Sequence, residues 1–328
     1  MKAHAKDYFV CPADKGPLNL HIEEETSEEI IRGALECPKC KKVYSIEKGV
    51  VDFIGESHYS ESFGYQWNIF SKTQLDSYSR LSISKDRFFH VTAWPSDMKG
   101  LLALEVGCGS GRFTEVAAAT GVNLVSMDSS DAVYANFANN GHFPNVTFAK
   151  SDLFHAPFPD DSFDRVFCLG VVQHTPQPSI AIAALYKLIK SHRGELAFDV
   201  YAKTFGSLFC SKYWLRPVLR RVPKEKLFSM LKTFVPILLR AHDVVRLLPG
   251  VGRWLAYRLV PVNTYKYSYP LTKEQNFEWA LLDTFDMFSP TYDSPMTLQA
   301  VKDLLTSLSP AQMQIQYGPN GIIAKITK

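Results

Sequence analysis

Residues 102–112 read LALEVGCGSGR, and the reading of that stretch decides the fold. An apolar run of strand length carries one acid, Glu105, and ends on three alternate glycines, Gly107, Gly109 and Gly111. Absent Cβ atoms permit unusual backbone angles and let a ligand approach the main chain. In open α/β sheets ligands bind at the carboxyl ends of the strands, where this loop falls. The spacing is GxGxG rather than the GxGxxG of a dinucleotide fingerprint, and no Lys-Ser/Thr pair follows, which excludes a phosphate-binding P-loop.

Outward from the loop, strand-like and helix-like segments alternate. RFTEVAAAT (112–120) is helix-like, VNLVSMD (122–128) strand-like, and Ser130 can cap a helix running to about Asn140. VTFAKSD (146–152), FDRVFCLG (163–170) and GELAFDVYA (194–202) read as three further strands, with a helix over 178–190. Such alternation implies right-handed crossovers and a parallel sheet. QMQIQYG (312–318) and GIIAKIT (321–327) flank Pro319-Asn320 and read as an antiparallel hairpin. The fold class is therefore α/β, Rossmann-like, with one reversed strand at the C-terminal side. Five regions are expected: a Cys-ribbon at 1–56, an aromatic lid or linker at 57–98, the core at 99–202, a basic helical insertion at 203–290, and a closing helix and hairpin at 291–328.

Two acids sharpen the ligand class. Asp128 ends the second strand, where a carboxylate can accept from a ribose diol, and Asp152 ends the third, where one can accept from an adenine amino group. Strand-end acids also serve as ordinary caps, so each alone says little. A cationic sulfonium tolerates nearby carboxylates better than a pyrophosphate does. EVGCGSGRF, VSMD and SDLFHAPFPDDSFDRVFCLGVVQH together resemble the successive motifs of class I S-adenosylmethionine-dependent methyltransferases, over about residues 99–202. The resemblance implies a seven-stranded sheet and S-adenosylmethionine as methyl donor. It places Glu105, Gly107, Cys108, Gly109 and Gly111 around the methionine part and Asp128 with Ser129 at the ribose. Asp152 with Leu153 then falls at the adenine, and Leu169 with Gly170 beside the sulfonium. FGYQWNIFSKTQLDS, SKYWLRP and LLDTFDMFSPTYDSP resemble a bacterial subgroup of these enzymes headed by a ribbon similar to the Trm112-like zinc ribbon.

That ribbon rests on two matching turns, Cys11-Pro-Ala-Asp14 and Cys37-Pro-Lys-Cys40. A structural zinc site needs four donors, normally thiolate or imidazole. Cys11, Cys37 and Cys40 supply three, and the fourth is Asp14 or His21. The alternative is a ribbon without metal, held by a small apolar core of Val43, Tyr44, Val50 and Phe53. The remaining cysteines, 108, 168 and 210, are scattered. That usage argues against a disulfide scaffold and for a reducing, cytoplasmic setting.

Methyl transfer from a sulfonium needs alignment and exclusion of water, and an oxygen acceptor adds the need for a general base. His174, in GVVQHTP (170–176), is the candidate base, since histidine changes charge near neutral pH. Its alternative role is to shape the loop. Gln173 is a candidate for positioning substrate or loop. Phe63, Tyr65 and Trp67 read as a lid over the cofactor or as packing between ribbon and core. Asp283, Asp286, Tyr292 and Asp293 are candidates for an acceptor pocket.

The chain has 328 residues, 46% of them hydrophobic and 13% aromatic, enough for a sizeable core, and a net charge of +3. Residues 203–258 hold twelve Lys and Arg against Glu225 and Asp243, leaving +10 on that block and the rest of the chain net acidic. Five prolines, at 217, 223, 236, 249 and 261, predict short helices there. The block reads as a cap over a small-molecule or lipid-linked acceptor, with a peripheral contact to anionic membrane as a compatible role. Nucleic acid is not expected, because the block is aliphatic rather than glycine-rich with exposed aromatics. MKAHAKDYFVCPADKG at the start has no apolar h-region, so no signal peptide is expected. No apolar window reaches membrane-spanning length. The reading is a methyltransferase acting on oxygen. The alternatives are RNA or protein methylation, or a cofactor-binding module without turnover.

Overall fold

The computed structural model describes residues 1–55 and 61–328, without the side chains of 61–63, 68, 207 and 208. The upper end of the expected 1–56 ribbon and the side chain of Phe63 lie outside the described residues. The chain divides into two compact units. The first comprises Met1–Ser71, Ser82–Ala202 and Tyr292–Lys328, and the second Lys72–Leu81 with Lys203–Thr291.

Among the described residues, the first unit is built on one sheet of eleven strands. Four come from the N-terminal ribbon: β1 (Asn19–Glu25), β2 (Ile30–Glu36), β3 (Val43–Glu47) and β4 (Val50–Asp52). They form an antiparallel meander. The other seven are β5 (Leu102–Val106), β6 (Asn123–Asp128), β7 (Val146–Lys150), β8 (Arg165–Cys168), β9 (Glu195–Val200), β10 (Gln312–Gly318) and β11 (Gly321–Thr327). They lie in the order β7-β6-β5-β8-β9-β11-β10, and β11 is the reversed strand. The expected seven-stranded Rossmann-like sheet is thus present, and the ribbon extends it: β4 pairs in parallel with β7, Val51 opposite Ala149.

Helices follow the strands as the crossover rule requires. In chain order they are α1 (Glu61–Ile69), α2 (Asp76–Ser79), α3 (Ile83–Thr92), α4 (Arg112–Ala118), α5 (Ala132–Asn140), α6 (Pro178–Leu188), α7 (Ser211–Leu219), α8 (Lys224–Arg246), α9 (Gly252–Leu259), α10 (Lys273–Phe288) and α11 (Leu298–Ser307). Successive strand residues point to opposite faces, and two cores result. Phe88, Phe113 and Val133 from α3, α4 and α5 cover one face, with Ala103, Leu124 and Phe148. Ile182 of α6, Val301 of α11 and the ribbon residues Leu35 and Ile46 cover the other, with Leu104, Val125 and Ala149. In β3 the alternation leaves Tyr44 and Ile46 buried and turns Val43 outward, 63% exposed, so Val43 is not part of the ribbon core.

The second unit is helical. Phe285 of α10 meets Phe228 of α8 with ring centroids 6.1 Å apart. Thr272 and Gln275 close a capping box at the start of α10. At its other end the buried Arg216 donates to the carbonyls of Met287 (3.2 Å) and Pro290 (2.5 Å), and Lys224 donates to that of Ser289 (2.5 Å). Cations there answer both the orphan carbonyls and the helix dipole. Short helices form at α7 (9 residues) and α9 (8 residues), and Pro223, Pro249 and Pro261 fall outside the helices, but α8 departs from the expectation and runs for 23 residues through Pro236, while α7 contains Pro217. A proline deprives the carbonyl four residues earlier of its donor. Lys232 and Pro236 are both exposed, so water serves the freed carbonyl while buried Leu231 and Val235 hold the turn in place.

The β4–β7 junction makes ribbon and core one folding unit. Val51 is fully buried, so Val51→Ala is expected to lower the unfolding free energy by about 2 kcal/mol in a urea titration. Val43→Ala, on β3 three residues before the Val51 partner Ile46, is expected to change it by less than about 0.5 kcal/mol. Equal effects at the two positions would overturn the account.

Candidate functional site

The loop Gly107–Gly111 leaves the carboxyl end of β5 with φ angles of 78°, 53° and 95° at its three glycines, which glycine adopts without strain. The space their missing Cβ atoms leave is filled by protein rather than open to a ligand. A Cβ on Gly107 would lie 2.4 Å from the Val171 side chain, and one on Gly109 3.0 Å from the Trp67 ring. One on Gly111 would lie 2.0 Å from Asn136 Oδ1. The glycines therefore let the loop after β8, α1 and α5 close directly onto the loop after β5.

The loop's amides are occupied too. Those of Gly107 and Cys108 donate to Met127 O (2.8 and 3.0 Å), that of Gly111 to Cys108 O (2.9 Å), and that of Gly109 to Asp128 Oδ2 (2.9 Å). A phosphate cradle needs free amides. A loop with these four engaged is not such a cradle, and its carbonyls at Cys108, Ser110 and Gly111 are bonded as well, to Gly111 N (2.9 Å), Asn139 Nδ2 (2.9 Å) and Asn140 Nδ2 (3.0 Å).

Two buried carboxylates stand behind it. Glu105 Oε2 accepts from Thr114 Oγ1 (2.5 Å) and Ser126 Oγ (2.9 Å). Asn136 Nδ2 donates to both of those hydroxyls, and Asn140 Nδ2 to Asn136 Oδ1 and Gly111 O. Burial pushes the Glu105 carboxyl up to about 8, against the pull of its two hydroxyl donors. Burial also raises Asp128, against its bonds from Gly109 and Ser130, and raises the Cys108 thiol far enough to leave it inert. Asp128 Oδ1 accepts from Ser130 N (2.8 Å) and Ser130 Oγ (2.7 Å). The Ser129 backbone also bonds Asp128, so its carboxylate is held by donors from Gly109, Ser129 and Ser130. Ser129 beside it is half-buried.

At the end of β7, Asp152 caps its own turn, accepting from Phe154 N (3.2 Å) and pairing with His155 Nδ1 (3.1 Å); Leu153 is buried. Ser151 Oγ, fully buried, has no hydrogen-bond partner among the described residues. The same holds for both amide atoms of Gln66, next to Trp67 on α1, and of Gln173, after β8. Tyr65 is half-buried. Buried polar groups are normally bonded, so these side chains have donors and acceptors left for a polar ligand.

Past β8, Leu169 is buried and Gly170 N donates to Asp199 Oδ1 (2.6 Å). Asp199 is fully buried at the end of β9 and bonds Arg87 Nη2 of α3 (2.6 Å). Sequence reasoning missed this pair; the signal present was an acid in the otherwise apolar ELAFDV, and nothing marked Arg87. His174 is buried, and its Nδ1 donates to Tyr292 O (3.0 Å), while Ser294 N donates to Gln173 O (2.8 Å). A carbonyl only accepts, so the Nδ1 proton is fixed and Nε2 is the basic atom. Tyr292 and Asp293 thus join His174 in the first unit. Asp283 lies in the second, bonded to Gln74 Nε2 (3.3 Å) and to the Tyr265 hydroxyl. Asp286 is also in that unit.

In the ribbon the donor atoms of Cys11, Asp14, Cys37 and Cys40 lie within 4.8 Å of one another. Cys11 Sγ is 3.5 Å from Cys40 Sγ, and Cys37 Sγ is 3.3 Å from Asp14 Oδ2. Three thiols and a carboxylate at these separations fit a tetrahedral zinc. His21 is exposed on β1 and pairs with Glu36 (3.2 Å), so of the two expected fourth donors it is Asp14 that joins the thiols.

Comparison with known proteins matches residues 104–198 to the methyltransferase domain family and residues 9–49 to the Trm112p-like protein family. A sterol 24-C-methyltransferase of Yarrowia lipolytica is 30% identical over 96 residues, 28% of this chain and 25% of that one. A ubiquinone biosynthesis O-methyltransferase of Methylococcus capsulatus is 24% identical over 132 residues, 39% of this chain and 55% of that one. The chain thus spans a quarter to about half of the length of these relatives. Among solved structures, a putative S-adenosyl-L-methionine-dependent methyltransferase from Methanococcus maripaludis aligns over 84% of this chain and 96% of its own, at 13% identity and a TM-score of 0.44.

Two outcomes follow from the geometry. Glu105 titrates near 8 when folded and near 4.5 when unfolded. Between those values the folded state holds the extra proton, so this group's contribution is complete below about pH 4.5 and is lost as pH rises through about 8. Melting temperature without cofactor is expected to fall across that window, and Glu105→Gln to flatten the fall; an unchanged slope would sink the assignment. The ribbon is expected to carry about one zinc per chain by elemental analysis. Cys37→Ala is expected to lose it and to lower the melting temperature by several degrees.

Proposed function

We propose that this chain, with a methyltransferase domain at 104–198 and a Trm112p-like ribbon at its head, transfers a methyl group from S-adenosylmethionine to oxygen on a small or lipid-linked acceptor. The observation that carries the reading is the loop after β5. It is tied to a buried acid at the end of β6 and has four of its amides engaged, which supports a diol on the acid rather than a phosphate on the amides. The cofactor, when bound, supplies an electrophilic methyl on a sulfonium.

The chain's own residues do the rest. Asp128 would accept from a ribose hydroxyl. Asp152, Leu153 and Ser151 would flank the adenine, and the Gly107–Gly111 loop would lie along the methionine part. Leu169 and Gly170 would line the sulfonium's surroundings, with Gly170 held by the Arg87–Asp199 pair. Tyr65 and Trp67 would exclude water, Trp67 from its seat on Gly109. His174, oriented through Nδ1, would accept the acceptor hydroxyl's proton at Nε2, and Gln173 would hold the acceptor with its carboxamide. The relatives named for ubiquinone and sterol support a small apolar acceptor.

Calorimetry with S-adenosylhomocysteine tests the cofactor half. Asp128→Asn is expected to weaken binding about 10- to 100-fold, the worth of a hydrogen bond to a charged group. His174→Gln is expected to leave that affinity unchanged and to lower kcat by about 100-fold or more. For the acceptor, methyl-labelled S-adenosylmethionine is incubated with the protein and bacterial extract, and the product is partitioned. Label in the organic or small-molecule fraction is expected. Label in RNA or protein would overturn the acceptor class, and binding without any labelled product would leave a module without turnover.

A further inference from the structure

The helical unit carries an apolar surface that its own core does not use. On α8 one stripe, Leu227, Leu231 and Val235, is buried in the unit. A second, Met230, Phe234, Ile237, Ala241 and Val244, recurs at i, i+4, i+7, i+11 and i+14, and every member is exposed. At 3.6 residues per turn it lies roughly 100° around the helix from the first. A helix of a water-soluble unit needs one apolar stripe, and a second requires another nonaqueous neighbour. The stripe runs into the turn Leu247-Leu248-Pro249-Gly250-Val251, all exposed, with Leu247 at 81%. Trp254 and Tyr257 of α9 follow, exposed as well. Of the 23 large apolar side chains exposed among the described residues, 15 fall between 205 and 259. Scatter over the surface would be ordinary, but this concentration marks an interaction face.

Charge identifies the partner. Lys226 and Arg240 border the stripe, Arg253 adjoins Trp254, and all three are exposed. Of the block's two acids, Asp243 is neutralised within the unit by Lys266 and bonded to the Tyr267 hydroxyl (2.7 Å). An apolar face with a Trp and a Tyr at its edge and cations around it matches a lipid–water interface whose headgroups are anionic. No described helix is long and apolar enough to cross a membrane, so the contact is peripheral. We infer that the α8 stripe and the 247–251 turn lie on an anionic bilayer, with Leu247, Leu248 and Trp254 entering the headgroup–acyl boundary.

The test sediments the full chain with vesicles of phosphatidylcholine alone and of phosphatidylcholine with about a quarter phosphatidylglycerol, with neither methyl donor nor acceptor present. Binding to the anionic vesicles only is expected, falling about tenfold or more when NaCl is raised from about 0.1 to 0.5 M. Leu247→Ser with Leu248→Ser is expected to weaken it at least about tenfold. Arg240→Gln with Arg253→Gln is expected to weaken binding and reduce its salt dependence. A blue shift of tryptophan emission on vesicle addition is expected to vanish in Trp254→Phe. All of these positions are exposed, and circular dichroism checks that the variants fold. Absence of binding to anionic vesicles overturns the inference. So does capture of RNA in place of vesicles, or a concentration-dependent dimer lost in the leucine variant, which would make the face an interface between copies. Methyl transfer is read separately, so failure here leaves the proposed reaction standing.

Discussion

The hydrogen bond from the Gly109 amide to the buried carboxylate of Asp128 is the constraint on which the site depends. It joins the loop leaving β5 to the end of β6, next to it in the sheet. With the amide so engaged, the loop does not offer that donor to a phosphate. The conformation it demands is left-handed at Gly109, and the absence of a side chain there seats Trp67 directly on the loop. One polar contact thus sets the loop's path, the polarity of the surface it offers and the position of the aromatic helix beside it. Asn136 does the same one glycine later, reaching past Gly111 to the hydroxyls that hold Glu105.

Much of this architecture was legible locally. Strands buried on both faces show as continuous apolar runs, so β5 to β9 and their helices lie within a few residues of where the pattern puts them. The hairpin of β10 and β11 was marked by Pro319-Asn320. What escaped is non-local. β4 has three residues and pairs with a strand about a hundred positions later; nothing in VVD announces that the ribbon completes the sheet. Arg87 and Asp199 meet across 112 residues, and His174 is oriented by a main-chain carbonyl 118 residues away. The glycine pattern was read correctly as a loop, while the reason for each glycine was a side chain from elsewhere. Pro236 is a local signal that packing overrides, because its lost hydrogen bond faces water.

Desolvation links the site to stability. Glu105 and Asp128 are both held in a dry interior, and both are shifted toward their neutral forms. Either carboxylate in its charged form is disfavoured there until a positive charge arrives. A sulfonium or an ammonium bound beside them would reduce that cost, and a phosphate would add to it. Preference for a cationic cofactor therefore does not rest on shape alone. The burial that raises both acids would also strengthen the bond Asp128 offers a ribose hydroxyl.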